Sequence, residues 1–129
     1  MINGQDAGKS FAYILGVFLG DGCVSRWPRN DRPERLQFRL NTIDEDFARA
    51  TKSALEDIST EYKVTIYSHP IAKSKNPNWA ITFGHRGLCE QLLADTDKKR
   101  IIPQYVRGWS RENKLAFIGG LMDSEGYVA

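Results

Sequence analysis

Residues 13–22 read YILGVFLGDG, an apolar segment that carries two glycines and runs directly into an acid. Residues 117–126 read FIGGLMDSEG and repeat this pattern near the end of the chain. The two acids, Asp21 and Glu125, are 104 positions apart, and the same offset aligns the small residues: Gly16 with Gly120, Gly20 with Ser124, and Gly22 with Gly126. The chain is therefore organised around an internal repeat.

Both copies are predicted to be buried helices, because they are apolar on almost every side. Gly16 and Gly20 are four residues apart and share one helix face, as do Gly120 and Ser124 in the second copy. A glycine inside a helix costs roughly 1 kcal/mol relative to alanine, so two in one helix need a compensating role. Small residues at this spacing let two helix backbones approach closely. We therefore expect these four residues to form a helix-pairing interface.

The two acids follow the apolar segments, at the helix C-termini. The helix dipole disfavours negative charge there by roughly 0.3–1 kcal/mol. Parallel pairing of the helices would bring Asp21 and Glu125 together, and adjacent carboxylates repel unless a proton or a cation lies between them. Oxygen ligands of this kind suit Mg²⁺. The other interpretation is two ordinary core helices with solvated terminal acids. Agreement of the copies in both glycine and acid positions favours the first.

The composition predicts a single soluble domain over residues 1–129. With 41% hydrophobic and 26% charged residues, the chain can bury one core. No apolar run reaches the ~20 residues that a membrane span requires. The N-terminus, MINGQD, has no export signal, so a cytoplasmic location is expected. Cys23 and Cys89 are too few for a disulfide scaffold and are expected to be free thiols.

The hydrophobic pattern predicts the element order α-β-β-α-β-β-α-α. The clearest strand covers residues 34–42, where apolar and polar side chains alternate. Other strands are predicted at 24–29, 62–69 and 79–83, with a hairpin loop at 28–33 and a turn at 74–78. Gly22 is expected to cap the first helix, and Ser110 the last; other helices are predicted at 44–58 and from 84 or 85 to 93. The fold class is α+β, with one antiparallel four-stranded sheet and helices packed on one face.

The other face of this sheet is predicted to be polar and basic. Five arginines lie between residues 23 and 41, whereas residues 44–57 hold five acids and two bases. Such a face can simply be solvated, but a β-ribbon can also enter the DNA major groove, where Arg pairs with guanine and Gln or Asn with adenine. On that interpretation either Ser25 and Trp27 or Arg26 face outward in the first strand. The predicted DNA contacts are Ser25, Arg26, Trp27, Arg29, Arg35, Gln37, Arg39, Asn41, Lys63, Thr65 and Tyr67.

Both motif segments resemble the LAGLIDADG motif of homing endonucleases, in the form with two motifs in one chain. The copy IGGLMDSEGYV at residues 118–128 is very close to the family pattern, and the resemblance covers the chain from about Ser10 onward. It implies a site-specific endonuclease, intron-encoded or free-standing, that hydrolyses phosphodiester bonds of double-stranded DNA. It also implies that Asp21 and Glu125 are catalytic and bind Mg²⁺ or Mn²⁺. The protein would then be found wherever the DNA of its host element resides.

The resemblance extends to further positions. A lysine often precedes the second motif and stabilises developing charge; Lys98 or Lys99 would fill this place, and a solvated basic loop is the alternative. Asn41 or Thr42 would be the polar residue at the end of the second strand. His69 and His85 have no partner at a metal-binding spacing; they are expected to be a strand-face and a helix-start residue.

One feature departs from the family pattern. In two-motif members a second β-β-α-β-β unit follows the second motif, but this chain ends three residues after Gly126. It therefore corresponds to the N-terminal half plus the second motif helix. We expect the other sheet to come from a second chain or from a C-terminal half, unless the chain is an inactive remnant. The alternative function is DNA or RNA binding without cleavage, as in a maturase or a transcription regulator of the same fold.

Overall fold

The computed structural model describes residues 8–59, 63–70 and 77–125; for residues 69, 70, 77 and 125 it describes the backbone alone. The order of the elements is the predicted one, with a short 3₁₀ helix, Gln104–Gly108, before the last helix. No helix within these ranges is long and apolar enough to cross a membrane. The helices are α1 Lys9–Gly20, α2 Glu45–Ile58, α3 Arg86–Asp95 and α4 Arg111–Glu125, and the strands are β1 Cys23–Arg29, β2 Arg32–Thr42, β3 Val64–Pro70 and β4 Pro77–Phe83.

The strands form one antiparallel sheet in the order β1-β2-β4-β3, which confirms the α+β fold class. A two-residue turn joins β1 to β2, and in it Asp31 has a left-handed backbone with φ of 60°. The predicted hairpin is confirmed, but its loop is shorter than the predicted 28–33. Pro28 lies within β1, where the pairing is irregular between Trp27 and Arg29. Proline is tolerated there because β1 is an edge strand. Part of the predicted turn at 74–78 and the predicted start of the third strand lie outside the described residues.

The helices cover one face of the sheet, and the core lies between the two layers. Leu36, Phe38 and Leu40 alternate along β2 and are buried, as predicted from their spacing. Ile81 and Phe83 of β4 are fully buried beside them. Burying a side chain of this size contributes roughly 1.5–3 kcal/mol. Because successive side chains of a strand point to opposite faces, the residues between these buried ones point outward.

Side chains cap the starts of α2 and α3. The Asp44 carboxylate accepts a hydrogen bond of 3.1 Å from the backbone N–H of Phe47. The imidazole of His85 accepts one of 3.0 Å at Nδ1 from the backbone N–H of Leu88. The prediction that His85 is a helix-start residue is confirmed, whereas the side chain of His69 lies outside the described residues. Each cap satisfies an amide that the helix leaves without a partner.

Gly22 does not cap α1, and this prediction is wrong. Asp21 is the C-cap residue, and the backbone N–H groups of Asp21 and Gly22 both donate to the Val17 carbonyl, at 3.0 and 2.8 Å. A β-carbon at Gly22 would lie 3.0 Å from the α-carbon of Phe18 and 3.1 Å from the Phe38 ring. Close packing, rather than a left-handed backbone, is therefore the reason for glycine at this position.

The two motif helices differ in how their apolar side chains are covered. On α1 the buried set is Phe11, Ile14 and Phe18, with exposures of 2%, 0% and 1%. The equivalent positions on α4 are Leu115, Ile118 and Met122, with exposures of 55%, 45% and 67%. The first set lies in the hydrophobic core together with residues of the sheet and of α2. No described residue covers the second set to a similar degree. The two copies of the repeat are therefore similar in sequence but differ in how far their equivalent apolar side chains are buried.

Candidate functional site

The helices α1 and α4 are in direct backbone contact. A β-carbon on Gly16 would lie 2.2 Å from the carbonyl oxygen of Phe117 and 2.6 Å from the backbone nitrogen of Leu121. A β-carbon on Gly120 would lie 2.1 Å from the carbonyl oxygen of Tyr13. Real β-carbons are not found this close to other atoms. The contact is thus reciprocal between equivalent positions of the repeat, and only glycine permits it.

Contacts near their N-termini show that the two helices are parallel. The ring of Trp109, just before α4, packs edge-to-face on Phe11 of α1 and on Phe117 of α4, with centroid distances of 6.4 and 6.3 Å. The Lys9 ammonium lies 3.5 Å from a carboxylate oxygen of Glu112, which joins the first turns of both helices. Because the helices start at one end, their C-termini share the other.

The two motif acids belong to this common C-terminal end. Asp21 caps α1 and is exposed to solvent. Glu125 is the last residue of α4, and its side chain lies outside the described part of the structure. Beside it, Ser124 is buried, and its hydroxyl is 3.5 Å from the Gly16 carbonyl oxygen. Gly20 ends α1 immediately before Asp21.

Lys99 crosses over to the end of α1. Its ammonium donates hydrogen bonds of 2.9 Å to the Gly22 carbonyl and 3.2 Å to the Gly20 carbonyl. It also lies 5.4 Å from the centre of the Phe18 ring. These two carbonyls belong to the residues on either side of Asp21. A cation at this position compensates the negative end of the helix dipole and the acid that follows it.

An unusual turn holds Lys99 in this place. Asp97, Lys98 and Lys99 have φ angles of 47°, 56° and 73°, and each left-handed residue of this type costs roughly 1–2 kcal/mol. The buried Thr96 fixes the turn: its hydroxyl donates to the Leu92 carbonyl at 2.6 Å and accepts from the Lys99 amide at 3.0 Å. Lys98 instead lines a cleft between α3 and the β1–β2 hairpin. The turn therefore directs the two lysines to different places.

Most of the predicted DNA contacts share the outward face of the sheet. Pairing places Trp27 opposite Arg35, Ser25 opposite Gln37, and Cys23 opposite Arg39, on the side away from the buried core. Pairing through β4 adds Asn41, Thr65 and Tyr67 to this face. Lys63 directly precedes β3 and is exposed. The outward face also holds two large exposed aromatic residues, Trp27 and Tyr67.

Arg26 does not belong to this face, and its outward placement is wrong. It pairs with Leu36, whose side chain is buried in the core, and its guanidinium lies 3.0 Å from a Glu34 carboxylate oxygen. Of the two alternatives, Ser25 and Trp27 therefore face outward. Arg29 lies at the end of the hairpin, where its Nε donates to a backbone carbonyl, that of residue 33, at 3.1 Å.

The middle of the outward face also contains residues outside the predicted set. Thr82 of β4 pairs with Arg39 on one side and Thr65 on the other. Asn78, on the same face of β4, donates from Nδ2 to Oδ1 of Asn41 at 3.4 Å. The inward apolar alternation at 79, 81 and 83 already implied that 78 and 82 point outward. That signal was present in the sequence.

A third acid, Asp123, lies close to the end of α4. The hydroxyl of Tyr13 on α1 donates to its carboxylate at 2.8 Å. Burial of Tyr13, followed by this hydrogen bond and by the charges of Asp123 and Asp44, raises the pKa of the phenol well above its ordinary value. Tyr13 therefore remains a neutral donor over the ordinary pH range. Asp123 was absent from the predicted site.

The donor chemistry at the helix ends fits a hard divalent cation that needs few protein ligands. Within the described side chains, no three His, Cys, Asp or Glu residues converge to hold a metal. Asp21 offers an exposed carboxylate, and Lys99 occupies the neighbouring carbonyls of Gly20 and Gly22. Mg²⁺ is commonly held by one or two carboxylates together with substrate phosphates and water. One acid from each motif helix would satisfy that requirement.

No family model and no curated protein matches this sequence, but solved structures do. A variant of I-DmoI in complex with its target DNA, in the presence of Mn, superposes with a TM-score of 0.59 at 15% identity. The fold is that of the homing endonuclease I-DmoI. Mesophilic variants from I-DmoI give a TM-score of 0.60 at 18% identity. I-DmoI with DNA and Ca gives 0.61 at 17% identity.

The likeness to I-DmoI covers most of this chain but only part of I-DmoI. The three superpositions include 90%, 92% and 98% of this chain and 59%, 62% and 60% of the respective I-DmoI chains. This chain therefore spans about three fifths of the length of the proteins it matches. At such low identities the likeness establishes the shared fold.

Proposed function

We propose that this chain reads and cleaves double-stranded DNA at a specific site, with a divalent cation held by the motif acids. The observation that carries the proposal is the backbone contact between Gly16 and Gly120, which pairs two parallel helices that each end in an acid. I-DmoI has this fold and was solved with DNA and with Mn, Mg or Ca. The same ligands are therefore the first to test here.

The proposed reaction is hydrolysis of a phosphodiester at the common end of α1 and α4. Asp21 and Glu125 would hold Mg²⁺ or Mn²⁺ together with oxygen atoms of the scissile phosphates. When bound, the cation polarises the phosphate and lowers the pKa of bound water. Lys99, fixed on the carbonyls beside Asp21, would stabilise negative charge on the phosphate. Lys98 faces a different cleft and is assigned no role in this reaction.

The outward face of the sheet is the proposed DNA-binding surface. Its arginines and amides have the donor patterns that recognise guanine and adenine in the major groove. Lys63 and Arg35 are exposed toward the edges of this face, where phosphates would lie. The face also leads directly to the proposed cleavage site, because β1 begins two residues after Asp21.

The exposed apolar face of α4 supports the proposal of a partner for this chain. The equivalent side chains of α1 are buried in a core that they share with residues of the β-β-α-β-β unit. Exposed apolar patches of this kind commonly mark interaction sites. We propose that a second unit of the same order, from another chain or from further polypeptide, covers Leu115, Ile118 and Met122. It would supply a second DNA-reading sheet related to the first by the symmetry of the repeat.

Substituting glutamine at equivalent positions of the two helices tests whether the apolar face of α4 is free to bind this partner. Met122→Gln should change the free energy of unfolding of the isolated chain by no more than about 0.5 kcal/mol, because the side chain is exposed. Phe18→Gln, its match on α1, should destabilise the chain by about 3–5 kcal/mol, since a large core side chain is lost. Thermal unfolding measures both. Equal destabilisation would show that α4 is already covered and would exclude the proposed partner.

The function itself is tested by binding and cleavage assays on double-stranded DNA. A random duplex library is incubated with the chain in Ca²⁺, bound molecules are sequenced, and the enriched duplex is then incubated in Mg²⁺. We expect enrichment of a defined site, and affinity that falls with salt with a log–log slope of about −0.9 per contacted phosphate. We expect Mg²⁺-dependent strand cleavage within that site when the second unit is present. Salt-sensitive binding without cleavage would instead support a regulator or maturase, and no enrichment would exclude both.

A further inference from the structure

Two polar side chains of β2 have short cross-strand neighbours on the outward face. Arg39 is flanked across the sheet by Cys23 on β1 and Thr82 on β4. Gln37, two residues earlier on the same strand, pairs with Ser25. Long side chains on this face, such as those of Trp27 and Tyr67, lie toward its edges. The short cross-strand neighbours therefore leave room for a duplex to reach Arg39 and Gln37 at the centre of the sheet.

The arginines near this face differ in what they already contact. Arg35 lies 5.9 Å from the centre of the Trp27 ring, in a cation–π contact. Arg26 is paired with Glu34 beneath the sheet. Arg39, in contrast, is half-buried and makes no hydrogen bond, ion pair or ring contact with any residue that the structure describes. Its five N–H donors therefore remain available to an external acceptor.

We propose that Arg39 and Gln37 determine base specificity: Arg39 recognises a guanine, and Gln37 recognises an adenine about two base pairs away. This rests on the proposed function, and it goes further by separating specificity from affinity within the same surface. Residues i and i+2 of a strand are roughly 6.6 Å apart, close to two base-pair rises of about 3.4 Å. Arginine pairs in bidentate fashion with guanine O6 and N7, and glutamine with adenine N6 and N7.

Arg35 has the opposite role in this proposal. Its guanidinium is exposed and held over Trp27, so it supplies positive charge from a fixed position at the rim. Charge at the rim contacts phosphates, which strengthens binding to every sequence equally. Lysine retains the charge but lacks the planar fork that guanine recognition needs. Lysine substitution therefore distinguishes a base-reading arginine from a phosphate-binding one.

The test compares Arg39→Lys with its matched control Arg35→Lys, four residues away on the same strand. Binding sites are selected from the random duplex library in Ca²⁺, so that cleavage plays no part, and folding is checked by circular dichroism. Arg39→Lys should lower the preference for guanine at one position by roughly 5- to 150-fold. Arg35→Lys should leave every base preference unchanged. Arg39→Gln, which offers an amide, should shift the preferred base at that position from guanine to adenine.

The remaining outcomes are also decisive. Gln37→Leu should remove an adenine preference about two positions from the guanine, which fixes the register of the strand on the DNA. Unchanged preferences for both Arg39 variants, or a change with Arg35→Lys alone, would overturn the assignment while leaving DNA binding intact. Failure of the unsubstituted chain to enrich any duplex would instead overturn the proposed function. The two failures are therefore distinguishable within one experiment.

Discussion

Replacing Gly16 with alanine is expected to lower the melting temperature of the chain by roughly 10 °C. The added β-carbon would lie 2.2 Å from the Phe117 carbonyl oxygen and 2.6 Å from the Leu121 backbone nitrogen. Both obstacles are backbone atoms, so the helices must move apart rather than a side chain rotate. Overpacking typically costs about 1–3 kcal/mol, and we expect the upper end of that range. For a chain of this size that free energy corresponds to the stated shift.

The matched control for this substitution is Gly119→Ala. Gly119 lies in the other motif helix, α4, and a β-carbon there would meet nothing within 4 Å. Alanine is a better helix former than glycine, so this change should stabilise the chain by up to roughly 1 kcal/mol. We therefore expect Gly16→Ala to lower the melting temperature and Gly119→Ala to raise it, both measured by thermal unfolding. A melting temperature for Gly16→Ala equal to that of the unsubstituted chain would contradict the backbone contact.

Asp21→Asn is expected to abolish cleavage while DNA binding persists. The substitution keeps the shape of the side chain and removes only the charge that would hold the cation. Loss of one charge-stabilising group typically lowers a catalytic rate by about 10²–10³-fold, and we expect at least this loss. Binding should be retained or slightly strengthened, because a negative charge near the phosphates is removed. Single-turnover cleavage and mobility-shift titration of the selected duplex, with the second unit present, measure the two effects.

The control for Asp21 is an acid far from the helix ends. Asp46→Asn makes the same chemical change in the exposed first turn of α2, on the helix side of the sheet. Its DNA affinity and cleavage rate should stay within about twofold of those of the unsubstituted chain. The only expected effect is a change of a few tenths of a kcal/mol in helix stability. If Asp21→Asn lost binding and folding together, the acid would be structural and the cleavage proposal would fail.

The repeat and the periodicity were enough to predict the sheet, the order of elements and the two motif helices. They succeeded because the glycines, acids and alternating apolar residues each have few structural alternatives. Prediction was weakest in β1, which reads CVSRWPR and has no apolar alternation. The face of Arg26 was therefore ambiguous, and Pro28 suggested a loop. The pairing of β1 with β2 answers both questions. Arg26 is opposite the buried Leu36 and so lies on the inner side, and the strand continues past Pro28 to Arg29.

The choice between Lys98 and Lys99 could not be made from sequence. It depends on a turn of three successive left-handed residues, none of them glycine, and no local preference favours such a turn. The buried Thr96 hydroxyl, which binds the Lys99 amide, is what stabilises it. Likewise, the different contacts of Arg35 and Arg39 follow from their cross-strand neighbours, Trp27 for one and small residues for the other. The position of Lys99 and the contacts of the two arginines thus depend on tertiary structure.

The most direct measurement of the central claim is Mn²⁺ binding to the complex with the selected duplex, followed by electron paramagnetic resonance. If the paired helices present one acid each to a shared cation, Asp21→Asn and Glu125→Gln should each abolish tight Mn²⁺ binding. Asp123→Asn is the matched control, because this nearby acid of α4 is engaged by Tyr13 and should leave Mn²⁺ binding intact. Unchanged Mn²⁺ affinity in both Asp21→Asn and Glu125→Gln would contradict the account.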